Sequence, residues 1–211
     1  MSPAARSDDS DVELTRRPAP GRPRQPDLDA RIAAVTRTLL ADVGYNRLSF
    51  EMIAQACEVT RPTLYRRWPS KAHLVFDATL PDTVDGITDT GDFPSDLRAF
   101  ISSIAAMFAT PFYRAAFPGL LADLIGNPPL SQDVMSDGWT AIRDGFARRI
   151  VRARQCGQIS PDFESQDVLD AIVGAMYQRA IVLQASPDDY IDVLTTMALR
   201  LLGSTLSPGP S

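Results

Sequence analysis

Apolar residues recur at three- and four-residue intervals along most of this chain, and no stretch alternates apolar with polar as a strand does. That period predicts an all-α protein. Leu28, Ile32, Val35, Leu39 and Val43 set a first helix over residues 28–43, with Asp27 placed to cap it and Gly44 to stop it. Ser49 caps a second helix whose inward face is Ile53, Ala54 and Cys57. Glu58-Val59 makes a turn, and Thr60 opens a third helix with Pro62 in its first turn, where a missing N–H costs nothing. Pro69 and Ser70 end that helix and cap a fourth. Further helices are predicted over residues 95–109, 113–125, 132–156, 165–184 and 187–202, with breaks at Pro111, Asn127-Pro128-Pro129, Gly157 to Pro161 and Ser186-Pro187. The Asp-, Thr- and Gly-rich run from Pro81 to Pro94 marks a boundary. Three parts result: a Pro-rich basic arm over 1–26, a four-helix module over 27–80, and a helical domain over 81–211.

The run from Thr60 to Lys71 concentrates the most chemistry. Leu64 and Trp68 lie four apart and share one face, which buries. Arg61, Thr63, Arg66 and Arg67 lie opposite, with Tyr65 on the flank. Two short helices joined by a tight turn, the second with a cationic front, form a helix-turn-helix, and such a front suits a DNA groove.

Charge at first argues against DNA, since the net value is −5. Its distribution reverses that. Residues 16–75 hold 11 Lys+Arg against 5 Asp+Glu, a balance of +6, whereas residues 76–211 hold 9 against 17, a balance of −8. A basic module joined to an acidic one implies two tasks in one chain.

Other classes lose support. There is one histidine, His73, and no nucleophile–base spacing, so neither a catalytic constellation nor an enzyme is expected. Cys57 and Cys156 read as small buried hydrophobes; with His73 they leave too little for a zinc site, and no metal or other cofactor is expected. No apolar run is long enough for a bilayer, and the polar, acidic start lacks a signal-peptide core, so the expected location is the cytoplasm, with no membrane partner.

The residues 30–78 resemble the DNA-binding domain of the TetR family of transcriptional regulators. The likeness rests on Ile32 to Leu40, Gly44-Tyr45, Ser49 through Ile53-Ala54, Val59 through Tyr65, and Trp68-Pro69-Ser70-Lys71, with Gly21-Arg22-Pro23-Arg24 as a basic lead-in. There are two departures: Glu58 stands where the family usually has Gly, and Trp68 where it more often has Phe. The resemblance implies an N-terminal helix-turn-helix domain followed by a helical domain that binds a ligand and dimerises. It also implies that Tyr65 bonds a phosphate. On geometry, Arg61 and Thr63 sit at the end of the recognition helix that enters the major groove, Arg61 pairing with guanine or with phosphate, and Pro62 offers apolar contact. Arg66 and Arg67 divide into one direct contact and one solvated charge. Lys71 and Ser49 open helices whose amides attract phosphate, and Arg47 is a further phosphate candidate. Arg22 and Arg24 either track DNA as an arm or belong to a solvated tail.

In the acidic domain, Met107, Phe108, Phe112, Trp139, Met176 and Tyr177 are the candidates to line a small-molecule pocket; each can equally be core. The aromatic, cation-poor interior favours an apolar or cationic ligand, while Asp123, Asp133, Asp137 and Asp144 read as solubilising. Leu169, Ile172, Val173, Gly174 and Ala180, with Val193, Met197 and Leu201, form apolar or close-packing faces suited to a four-helix dimer interface. The expected function is a ligand-responsive repressor that binds a palindromic operator in double-stranded DNA as a homodimer and leaves it on binding a small molecule. The alternative is an activator or architectural DNA-binding protein without an inducer.

Overall fold

Proline decides where several helices begin. In a computed structural model describing residues 26–80, 88–160 and 163–204, helix α1 is Pro26–Arg47, α2 Phe50–Ala56, α3 Arg61–Tyr65, α4 Lys71–Thr79, α5 Phe93–Ala109, α6 Pro111–Gly126, α7 Pro128–Gln155, α8 Ser165–Tyr177 and α9 Ile191–Leu201. Pro26, Pro62, Pro94, Pro111, Pro128 and Pro129 all occupy first turns, where their fixed φ suits the helix. Helices α1, α5, α6 and α7 therefore start two to four residues before the expected positions. Asn127, expected as part of a break, caps α7 by accepting the Leu130 N–H at 3.3 Å.

Two other expectations change. The helix expected over 165–184 ends at Tyr177 and continues as a wider π-helical turn, Gln178–Val182, closed by the Leu183 N–H on the Gln178 carbonyl. The helix expected over 187–202 splits into a 3₁₀ turn, Pro187–Asp189, and α9, because Tyr190 leaves helical geometry at φ −137°.

Two cores hold the fold. One joins α5, α7, α8 and α9 around Phe93, Leu97, Ile101, Phe146, Leu169 and Tyr190. The other joins α1 to α4 around Ile32, Leu40, Ile53, Leu64 and Trp68, and it also takes Ala116, Leu120 and Leu124 from α6 and Val134 from α7. Helix α6 thus belongs to the second domain by chain order but lies against α1 in the first core.

Tyr45 forms the tightest joint of that seam. Gly44 breaks α1 at φ 72°, a left-handed conformation that glycine adopts freely. The break sends the Tyr45 side chain into a notch beside Gly119 of α6, where a Cβ would lie 2.6 Å from the ring. Tyr45 donates its hydroxyl to Asp123 Oδ2 at 2.6 Å. Burial first, then the hydrogen bond and charge of Asp123, push the phenol far above the ordinary tyrosine range, so it remains a donor. Asp133 also holds the seam: His73 Nε2 on α4 meets its Oδ2 at 2.9 Å, and His73 Nδ1 meets Ser70 Oγ at 2.8 Å. Asp123 and Asp133, expected as solubilising charges, join the two domains.

Candidate nucleic-acid interface

The third helix has only five residues, too short to persist alone, so neighbours must fix it. Leu64 is fully buried and Trp68 is 7% exposed in the first core. The indole N–H of Trp68 donates to Asp77 Oδ2 at 2.8 Å, so the larger ring in place of phenylalanine finds a polar partner. Thr60 precedes the helix in extended geometry, but its hydroxyl bonds the Thr63 hydroxyl at 2.9 Å rather than a backbone amide. At the neighbouring starts the expected caps form: Ser49 Oγ accepts from Met52 N at 3.3 Å and Ser70 Oγ from His73 N at 3.5 Å.

Glu58 supplies the turn. It stands at φ 52°, in the left-handed region that a Cβ disfavours by about 1 kcal/mol. The turn still closes, with Val59 N–H on the Ala54 carbonyl at 2.9 Å.

The side chains at the front are not equivalent. Arg61, Pro62, Tyr65 and Arg66 are exposed and Thr63 is half-buried. Tyr65 packs edge-on against Phe50, with ring centroids 4.5 Å apart, and remains 50% exposed. Arg61 Nη1 donates to Glu51 Oε2 at 3.1 Å across the turn. Arg67 corrects the expected pairing of a contact with a solvated charge: its guanidinium ties α3 to α1 through Asp29 and reaches the Thr63 carbonyl. Among the described residues Arg66 makes no ion pair. Lys71 Nζ donates to the Tyr45 carbonyl at 3.0 Å and lies 4.0 Å from the Tyr45 ring centre, so its charge is partly committed to the seam. Arg47 is exposed. Arg22 and Arg24 lie outside the described residues.

In the acidic domain the candidate residues differ in burial. Phe108 and Met176 are sealed in the core at 3% and 0% exposure, while Met107, Phe112, Trp139 and Tyr177 are partly buried against it. Phe108 stacks on Tyr113 at 4.7 Å, Tyr113 on Phe117 at 4.9 Å, and Phe117 meets Tyr177 at 5.4 Å. Tyr113 and Phe117 stand four residues apart on α6 and so share a face, which joins Phe108 to Tyr177. A cleft of about 300 Å³ lies instead at the domain seam, lined by Trp68, His73, Phe76, Asp77, Asp133 and Val134 among others, and by none of the six expected residues. Leu169, Ile172 and Ala180, expected at a dimer interface, are 1%, 3% and 0% exposed within one protomer, because the wide apolar face of α8 packs inward. Val193 and Met197 of α9 and Gly174 of α8 stand exposed, Val173 and Leu201 half-buried. Cys57 is buried as expected; Cys156 is exposed at the C-cap of α7. No helix among the described residues is long and apolar enough to cross a membrane.

Residues 32–78 match the family model described as bacterial regulatory proteins, tetR family, and residues 87–198 match the tetracyclin repressor-like C-terminal domain. An uncharacterized HTH-type transcriptional regulator of Mycobacterium tuberculosis, Rv1556, is 29% identical over 177 residues, covering 81% of this chain and 82% of that protein. The DNA-binding transcriptional repressor TetR of Mycobacteroides abscessus is 26% identical over 163 residues, covering 76% and 85%. Among solved structures, the TetR family transcription regulator SCO0332 superposes with a TM-score of 0.60 at 29% identity, covering 86% of this chain and all (100%) of that one.

Proposed function

The chain belongs to the TetR family of bacterial regulatory proteins, DNA-binding transcriptional regulators rather than enzymes, and on that premise we propose that it is a repressor that binds a palindromic operator as a dimer and is released by a small molecule. One observation carries the DNA half of the proposal: Leu64 and Trp68 are buried under α3 while Arg61, Pro62, Tyr65 and Arg66 project from it. A pair of such helices one turn of DNA apart, about 34–36 Å, reads two half-sites. The Mycobacteroides abscessus relative is a DNA-binding transcriptional repressor, which supports repression here.

Arg61 reads guanine in this proposal, and Tyr65 bonds a phosphate. Arg61→Ala should lose about 1–3 kcal/mol of discrimination at one base pair. Tyr65→Phe should weaken operator and random duplex alike. Footprinting on an operator selected from a random duplex library checks both; full operator binding by the two variants would remove α3 from the groove.

The dimer uses the exposed faces of α8 and α9, where Gly174 leaves room for close approach and Val193 and Met197 stand 48% and 53% exposed. A charge there is unpaired in the interface. Met197→Glu should weaken dimerisation by about 2 kcal/mol. Sedimentation velocity reads the change, and an unaltered dimer would place the interface elsewhere.

Signal transfer runs through the seam, along Tyr45–Asp123, Lys71–Tyr45 and His73–Asp133, whose contacts a bound ligand shifts between two domain arrangements. A second reading, a regulator without inducer, is favoured by the packing of Phe108 and Met176 deep in the core. Absence of any ligand-induced melting shift across a broad compound library would select it.

A further inference from the structure

Glu51 is the one carboxylate among the described residues that is bonded to the exposed front of α3. It occupies the first turn of α2, ten residues before Arg61, and its Oε2 takes the Arg61 Nη1–H at 3.1 Å. Both side chains face water, at 72% and 55% exposure. In solution such a pair contributes little to stability, about 0–1 kcal/mol. Its weight changes where DNA displaces the water.

The folded module magnifies that change because it is nearly neutral. Residues 26–80 hold 7 Lys+Arg against 6 Asp+Glu, a balance of +1. Arg67 is tied to Asp29 and Lys71 to Tyr45, so few of its cations are uncommitted. A single carboxylate beside the groove is therefore a large part of the local field.

We propose that Glu51 is a specificity-determining residue that gates Arg61; the proposal rests on the reading of Arg61 as the base contact. A guanidinium has five N–H donors in a fixed plane. Two of them satisfy O6 and N7 of guanine and leave others for Glu51, which then braces the plane in register. Against a phosphate in random sequence, the same carboxylate faces the DNA backbone without a matching base to compensate, and repulsion weakens that mode. Glu51 thus lowers non-specific affinity more than specific affinity.

The test uses the full chain, an operator selected by the wild-type protein from a random duplex library, and a scrambled duplex of equal length. Glu51→Gln should bind the scrambled duplex about three- to tenfold more tightly and with a steeper salt dependence, and the ratio of operator to scrambled affinity should fall by a similar factor. In an Arg61→Ala background, Glu51→Gln should leave the ratio unchanged. If Arg61→Ala removes guanine preference but Glu51→Gln leaves the ratio at its wild-type value, the gate is overturned and Arg61 stands. A fall in the ratio of equal size in the Arg61→Ala background also overturns it, because Glu51 would then act without Arg61. If Arg61→Ala keeps the full preference, the base-contact reading itself falls.

Discussion

Asp96→Ala should destabilise the protein by about 3–5 kcal/mol, the cost of leaving a buried charge without its partner. Asp96 is 3% exposed in the first turn of α5, and Arg149 of α7 is also 3% exposed. Arg149 Nε and Nη2 both donate to Asp96 Oδ2, at 3.0 and 2.6 Å. Thr90 donates its hydroxyl to the other oxygen, at 2.5 Å. The guanidinium also lies 4.9 Å from the centre of the Phe93 ring, and its Nη1 has no hydrogen-bond partner. Without Asp96 the remaining carboxylate is Asp89 at 3.5 Å, half in solvent and a poor substitute. Urea unfolding measures the loss. The double variant Asp96→Leu/Arg149→Met should recover at least about 1 kcal/mol of it, since an apolar pair incurs no desolvation cost. A loss below about 1 kcal/mol for Asp96→Ala would show that water or Asp89 compensates fully.

This pair was not legible in the sequence, and the reason is physical. Its members are 53 residues apart, and nothing local distinguishes Arg149 from its neighbour Arg148. The recognition run was legible because caps, a short helix and its two anchors all act within twelve residues. Several helices start earlier than expected because Pro94, Pro111 and Pro128 look like breaks, yet each sits in a first turn where its ring is harmless. The α8 stripe reveals the limit of periodicity. An apolar face wide enough to serve two neighbours does not say which residues turn inward, and burial assigns Leu169, Ile172 and Met176 to the chain's own core. Composition has the same limit at Phe108 and Met176, which have the chemistry of a pocket wall and the position of core residues.

Trp68→Ala should cost about 3–5 kcal/mol and abolish operator binding at temperatures where the second domain still holds its secondary structure. The substitution removes a nearly buried ring from a core where Leu64 is the other anchor of α3. It also removes the hydrogen bond from the indole N–H to Oδ2 of Asp77, an exposed residue whose carboxylate water can then solvate. Helix α3 has little in reserve: five residues, no side-chain bond from Thr60 to its amides, and a left-handed Glu58 in the turn before it. Trp68→Phe separates the two contributions. It keeps most of the apolar volume and loses the hydrogen bond, so it should cost only about 0.5–1.5 kcal/mol and retain operator binding. Unfolding followed by the fluorescence of the second tryptophan, Trp139, reports the distant domain while operator affinity reports α3. Equal losses for Trp68→Ala and Trp68→Phe would assign the anchoring to the Asp77 bond rather than to packing. The packing account requires the alanine variant to lose the interface and the phenylalanine variant to keep it, because what α3 presents to DNA depends on what holds its opposite face.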